Sequence, residues 1–179
     1  MTRTYFIADI AANHDGNLKR AKLLCSLAKD SGADAVKFQH LDCKKLVSDY
    51  GFKNLGDKFS HQSSWGKSVY EVYKEAEVPT SWIGDLKAYC NSIGIELFST
   101  PYDLDMVDHL DAYVDLYKIG SGDIAFEPML KKVAETGKKV MIATGAASLK
   151  EVTRAVELLE SYGVPVVLMQ CNTNYTGSD

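Results

Sequence analysis

Six short runs of β-forming apolar residues alternate with helical patterns along this chain, and few folds accept that order. The runs are Tyr5 to Ile10, Ala35 to Gln39, Ile95 to Thr100, Leu116 to Gly120, Val140 to Thr144 and Val166 to Cys171. Each is nearly continuous in hydrophobicity, which predicts strands covered on both faces of a parallel sheet. Between them, Leu18, Ala21, Cys25 and Ala28 share one helix face, with Ser31-Gly32 as the stop. Trp82, Leu86, Tyr89, Cys90 and Ile93 make a second stripe closed by Gly94. Ser148 and Glu151 form an S-x-x-E capping box ahead of Val152, Ala155, Val156 and Leu159, and Gly163 ends that helix. Shorter helices are expected near Asp103 and near Phe126-Glu127-Pro128, where proline suits a first turn.

Repeated β/α units leave two architectures, a doubly wound open sheet and a TIM (β/α)8-type barrel. A complete barrel usually takes about 250 residues, and this chain has 179. As a barrel it holds about six units, with the last units missing and two strand edges unpaired. The composition, 46% hydrophobic and 25% charged, is that of a globular domain able to bury a core. The formal charge of -4 argues against nucleic acid or an anionic membrane as partner, since both select basic surfaces. It leaves room for a small anion, which needs only a few local cations.

Asp9 interrupts the first apolar run, too early for a secretory signal, and no run is long enough to span a bilayer. Cys25, Cys43, Cys90 and Cys171 are scattered without zinc spacing. They read as small packed groups of a reduced, cytoplasmic chain, the counter-reading being one or two disulfides in a secreted one. A long excursion from Leu41 to Pro79 is rich in aromatics (Tyr50, Phe52, Phe59, Trp65, Tyr70, Tyr73) and carries a short helix around Ser68 to Glu75. Such excursions serve as lids or binding loops, or simply pack on the scaffold.

In both architectures ligands bind beyond the carboxyl ends of the strands. There the chain places Asp9, Lys37, Gln39, Thr100, Lys118, Ser121, Asp123, Thr144, Asn172, Asn174 and Tyr175. Lys37 and Lys118 are the sharpest signal, because an ammonium within an apolar strand needs a carboxylate or an anion. Together with hydroxyls and glycine amides they suggest an anion site; singly, each is as well explained by a neighbouring Asp. His14, in an Asn-His-Asp-Gly turn, reads as a turn residue bonded to backbone, and His61 and His109 as non-catalytic.

Ile7-Ala8-Asp9-Ile10, Asn13 to Gly16, Gly32 to Gln39, Ser99 to Tyr102, Tyr117 to Asp123, Ala143 to Gly145 and Cys171 to Tyr175 resemble, in order, the motifs of the sialic acid synthase family. The resemblance implies residues 1–179 as the front part of a TIM-barrel synthase that condenses phosphoenolpyruvate with an N-acetylmannosamine-type aldehyde sugar, an N-acetylated amino-sugar. The products are a nonulosonic acid and phosphate. It implies that Lys37, Lys118, Thr100 and Ser121 hold the phosphate and carboxylate, with Thr144 as a further hydroxyl of that site. Asp9, Gln39, Asp123 and Tyr175 then face the sugar and water, with Asn172 or Asn174 also toward the ligand. Asp9, Lys37, Lys118 and Asp123 are the implied catalytic set.

The resemblance also implies a divalent metal (Mn2+ or Mg2+) that polarises the aldehyde, a homodimer, and an antifreeze-like C-terminal domain. The metal-binding histidines and that domain lie outside residues 1–179, so the isolated chain is expected to be inactive. Relative to the family, Asp9 and Asp123 stand where Glu is common, and Ala143 replaces a serine. Both carboxylates are thereby one methylene shorter, consistent with a different nonulosonic-acid precursor. Two other readings remain: a Schiff-base aldolase using Lys118 or Lys37, and a non-catalytic anion-binding fragment.

Overall fold

The computed structural model describes residues 3–54 and 66–173. All six expected strands are present and run parallel in every registered pair, in the order β1-β2-β3-β4-β5-β6. The backbone divides into two compact units, residues 1–97 and 98–179.

The first unit holds β1 (Ile7–Ala11), α1 (Leu18–Asp30), β2 (Ala35–His40), α2 (Cys43–Leu46), α3 (Asp49–Asn54), α4 (Val69–Ala76) and α5 (Ile83–Ile93), and the start of β3 (Glu96–Pro101). Ala21, Cys25 and Ala28 of α1 are buried, as the stripe predicts, along with Val36, Phe38, Leu86 and Cys90. The Asn17 side chain caps α1 by accepting the Arg20 amide. Gly32 and Gly94 end α1 and α5 at φ of 89° and 68°, the left-handed conformation that glycine adopts without a Cβ clash. The excursion contributes α2, α3 and α4. Its Phe59 and Trp65 lie outside the described residues, as does His61.

The second unit continues β3 into α6 (Leu104–Asp111), β4 (Leu116–Ile119), α7 (Glu127–Ala134), β5 (Lys139–Ala143), α8 (Leu149–Ser161) and β6 (Val166–Met169). Its core is Phe98, Leu110, Tyr117, Ile119, Leu130, Ile142 and Leu159. The Ser148–Glu151 capping box forms as expected.

The expectation of strands covered on both faces holds for β4, and for β3 and β5 after their first residues. It fails for β1 and β6: Phe6, just before β1, and Val167 and Leu168 of β6 are exposed. These two strands stand at the ends of the strand order, each beside a single neighbour. Three strands, β4, β5 and β6, stop one or two residues short of their apolar runs, at Ile119, Ala143 and Met169, whereas β1, β2 and β3 continue one residue beyond theirs, to Ala11, His40 and Pro101. Gly120, Thr144 and Gln170 therefore belong to the turns that carry polar groups.

Candidate active site

In the first unit the expected residues come from β1 and β2. Asp9 and Lys37 are register partners on adjacent parallel strands, so their side chains emerge side by side. Lys37 Nζ lies 2.8 Å from Asp9 Oδ1, with the lysine side chain only 12% exposed and the aspartate 55%. The charge inside β2 is thus matched by the neighbouring strand. Gln39, two residues on, shares the Lys37 face. A bulge between Asp9 and Ala11, with Ala11 at φ 48°, then turns the chain into the Asn13–Gly16 turn.

His14 in that turn is fully buried. Its Nδ1 accepts the Gly16 amide at 3.1 Å, which leaves the imidazole proton on Nε2. The ring meets Trp82 edge-on, with centroids 5.7 Å apart. Burial lowers its pKa, against the pull of the Ala76 backbone and the Asp15 carboxylate. The structural role expected from the sequence is the one found. His40 at the end of β2 is equally enclosed, and burial, with a smaller contribution from His14, pushes its pKa down to about 3. Both imidazoles are neutral at pH 7.

In the second unit three strand ends bring polar groups together. Lys118 of β4 is 8% exposed and its Nζ donates to the Ile119 carbonyl at 2.6 Å. Burial raises the Asp123 pKa, and the Lys118 charge opposes that rise. A Cβ placed on Gly120 would lie 3.6 Å from Asp123 Oδ2 and 4.0 Å from the Tyr102 hydroxyl, so both groups border this turn. Ser121 Oγ accepts the Gly145 amide at 3.1 Å. Gly145 sits in a cradle where a Cβ would come within 2.5 Å of Thr173 Cγ2, 2.8 Å of the Cys171 carbonyl and 2.9 Å of Ser121 Oγ. No side chain fits there.

A cavity of about 260 Å3 opens beside this cradle, lined by Ser121, Gly122, Gly145, Ala146, Ala147, Glu151 and Thr173, with Ile124 and Ala125. It lies at the amino end of α8, although the Glu151 carboxylate already takes the Ser148 amide and hydroxyl, each at 2.7 Å. Thr100 is buried in β3. The Thr144 hydroxyl donates to the Met169 carbonyl at 3.2 Å and so also ties β5 to β6. Asn172 is exposed after β6, whereas Asn174 and Tyr175 lie outside the described residues.

Sequence reasoning missed Cys171 and Thr173 as members of this cluster. The Cys171 thiol pKa is lowered by the Thr173 amide, by the Ser121 hydroxyl and by the Lys118 charge. An apolar reading of β6 hid it. The Gly145 requirement for a close neighbour was the available signal.

One group of metal-ligand types gathers among the described residues, Asp42, Cys43 and Glu77. Glu77 already accepts the Cys43 amide at 2.8 Å and the Lys74 ammonium at 2.6 Å, and Asp42 caps α2. An ammonium in direct contact opposes a divalent cation. The group therefore fits an ion-paired helix contact and does not fit the divalent metal that the resemblance implies.

Residues 24–178 match the family model described as the NeuB family. The chain is 37% identical over 174 residues to an uncharacterized protein of Methanocaldococcus jannaschii, covering 96% of this chain and 47% of the relative. It is 34% identical over 182 residues to N,N'-diacetyllegionaminic acid synthase of Campylobacter jejuni, covering 98% of this chain and 53% of that enzyme. The crystal structure of N-acetylneuraminic acid (sialic acid) synthetase from Leptospira borgpetersenii superposes with a TM-score of 0.84 at 26% identity, over 99% of this chain and 57% of that one. The chain thus spans about half the length of the curated relatives it matches. Its six β/α units are of the TIM-barrel type, and the chain belongs to the NeuB family.

Proposed function

We propose that the protein condenses phosphoenolpyruvate with an N-acetylmannosamine-type aldehyde sugar to give a nonulosonic acid and phosphate. The observation that carries this reading is the second-unit cluster at strand carboxyl ends, where the charge of buried Lys118 bears on Asp123 and Cys171 and the Ser121 hydroxyl borders both this cluster and a neighbouring cavity of about 260 Å3. Cationic and hydroxyl groups in a partly dehydrated site suit a dianionic enol phosphate.

In this mechanism Lys37 and Lys118, with Thr100, Ser121 and Thr144, bind the phosphate and carboxylate. Carbon 3 of the enol phosphate attacks the aldehyde carbon, forming the new carbon–carbon bond, and the aldehyde oxygen takes a proton. Water adds to carbon 2 and loses a proton to a carboxylate. The carbon 2–oxygen bond to phosphate then breaks as the carbon 2 hydroxyl becomes the ketone of the 2-keto acid, and the departing phosphate takes the proton of that hydroxyl. Lys37 exchanges Asp9 for the substrate anion, which releases Asp9 to orient or deprotonate the water. Asp123, whose pKa burial raises, is suited to carry the proton for the aldehyde oxygen. Gln39, Asn172, Asn174 and Tyr175 orient the sugar.

Phosphate release from phosphoenolpyruvate, assayed with N-acetylmannosamine and with diacetamido-hexoses, tests the reading. Sugar-dependent release by the protein is expected. A protein that releases no phosphate with any such aldehyde sugar would refute it.

A further inference from the structure

We propose that Cys25 and Cys90 form a redox-sensitive pair, joined by a peroxide-class oxidant into a disulfide that staples α1 to α5. The two helices pack against each other, and neighbouring side chains on both sides of the pair fix their register. Ser26 Oγ and the Tyr89 hydroxyl share a hydrogen bond of 2.5 Å. Lys29 Nζ donates to the Gly94 carbonyl at 2.6 Å, and Lys22 lies 5.7 Å from the Tyr89 ring centre. Cys25 lies between Lys22 and Ser26 along α1 and Cys90 directly follows Tyr89 along α5, and the two thiols share a hydrogen bond across the seam. Both residues are fully buried.

The Cys90 thiol donates a hydrogen bond to the Cys25 sulfur, which lowers the Cys25 pKa and raises that of Cys90. The pair is therefore ordered in reactivity, with Cys25 as nucleophile and Cys90 as resolving thiol. Ionised Cys25 attacks one oxygen of hydrogen peroxide, the O–O bond breaks, and the departing hydroxide takes the thiol proton to become water. Cys90 sulfur then attacks the sulfur of the Cys25 sulfenic acid, the S–O bond breaks, and the second hydroxide leaves with the Cys90 proton. Two thiols are oxidised and one peroxide is reduced to two waters. A small oxidant suits a site this enclosed, reached through brief local opening.

Peroxide treatment of the protein, alkylation of the remaining thiols and peptide mapping test the proposal. The Cys25 and Cys90 peptides should be recovered joined, lighter by two hydrogens and separable by dithiothreitol, with Cys43 still alkylatable. Closing a loop of roughly 65 residues should raise Tm by about 5–15 °C, a rise absent from Cys25→Ala and Cys90→Ala. Recovery of both thiols unmodified after Cys171 has been oxidised overturns the proposal. So does recovery as separate sulfinic acids, or joined to Cys43 or Cys171. The wild-type peptide map decides the matter even where a variant folds poorly.

Discussion

Lys37 and Lys118 meet the same desolvation problem in different ways. Lys37 is held by a carboxylate on the adjacent strand, whereas Lys118 is buried against its own backbone near Asp123. Lysines inside apolar runs were legible as anomalies. The partner of Lys37 was not, because cross-strand pairing depends on a register that one strand does not encode. Under the proposed function, Lys118→Met should lower kcat/KM for phosphoenolpyruvate on the order of 100-fold. Circular dichroism should remain native, since methionine fills the same buried space. Gly145→Ala should destabilise the protein by about 1–3 kcal/mol in urea unfolding. Its Cβ meets backbone at the Cys171 carbonyl, not only movable side chains. Equal stability of that variant and the parent would contradict the cradle geometry.

At the scale of elements, strand identity followed from apolar runs and the main helix ends followed from glycine. The β1 bulge was illegible, because Ala11 takes φ 48° with no turn residue to announce it. α2 and α3 were also missed, being too short to leave a periodic stripe. α4 is instructive, because Ser68 and Glu71 form the same reciprocal cap as Ser148 and Glu151. The motif stood at both places in the sequence, but only the one ahead of a long stripe was recognised. Ser148→Ala should lower Tm by roughly 2–4 °C, as loss of one N-cap costs about 1 kcal/mol. Serine to threonine at the same position, which keeps the hydroxyl, should recover most of the loss in a thermal melt.

The whole molecule inherits an acid sensitivity from the enclosed imidazoles of His14 and His40. An unfolded histidine takes up its proton near pH 6.5, whereas folded His40 does so only at about 3, and the His14 pKa is lowered as well. Between those values the unfolded chain binds more protons, so acidification favours unfolding. Each histidine contributes a slope of up to about 1.4 kcal/mol per pH unit, with full stability above pH 6.5. Urea midpoints measured from pH 7.5 to 4 should show this fall, and His40→Gln should flatten it. The sequence displayed both histidines, but enclosure by Trp82 and the β2 core is a tertiary property that no local pattern carries. The same window contains the sequence pI of about 5.6, where charge repulsion between molecules is least. Loss of fold and loss of colloidal repulsion therefore coincide. A mildly acidic buffer should drive the protein into light-scattering aggregates, whereas an equal step to the alkaline side of neutrality should leave it clear.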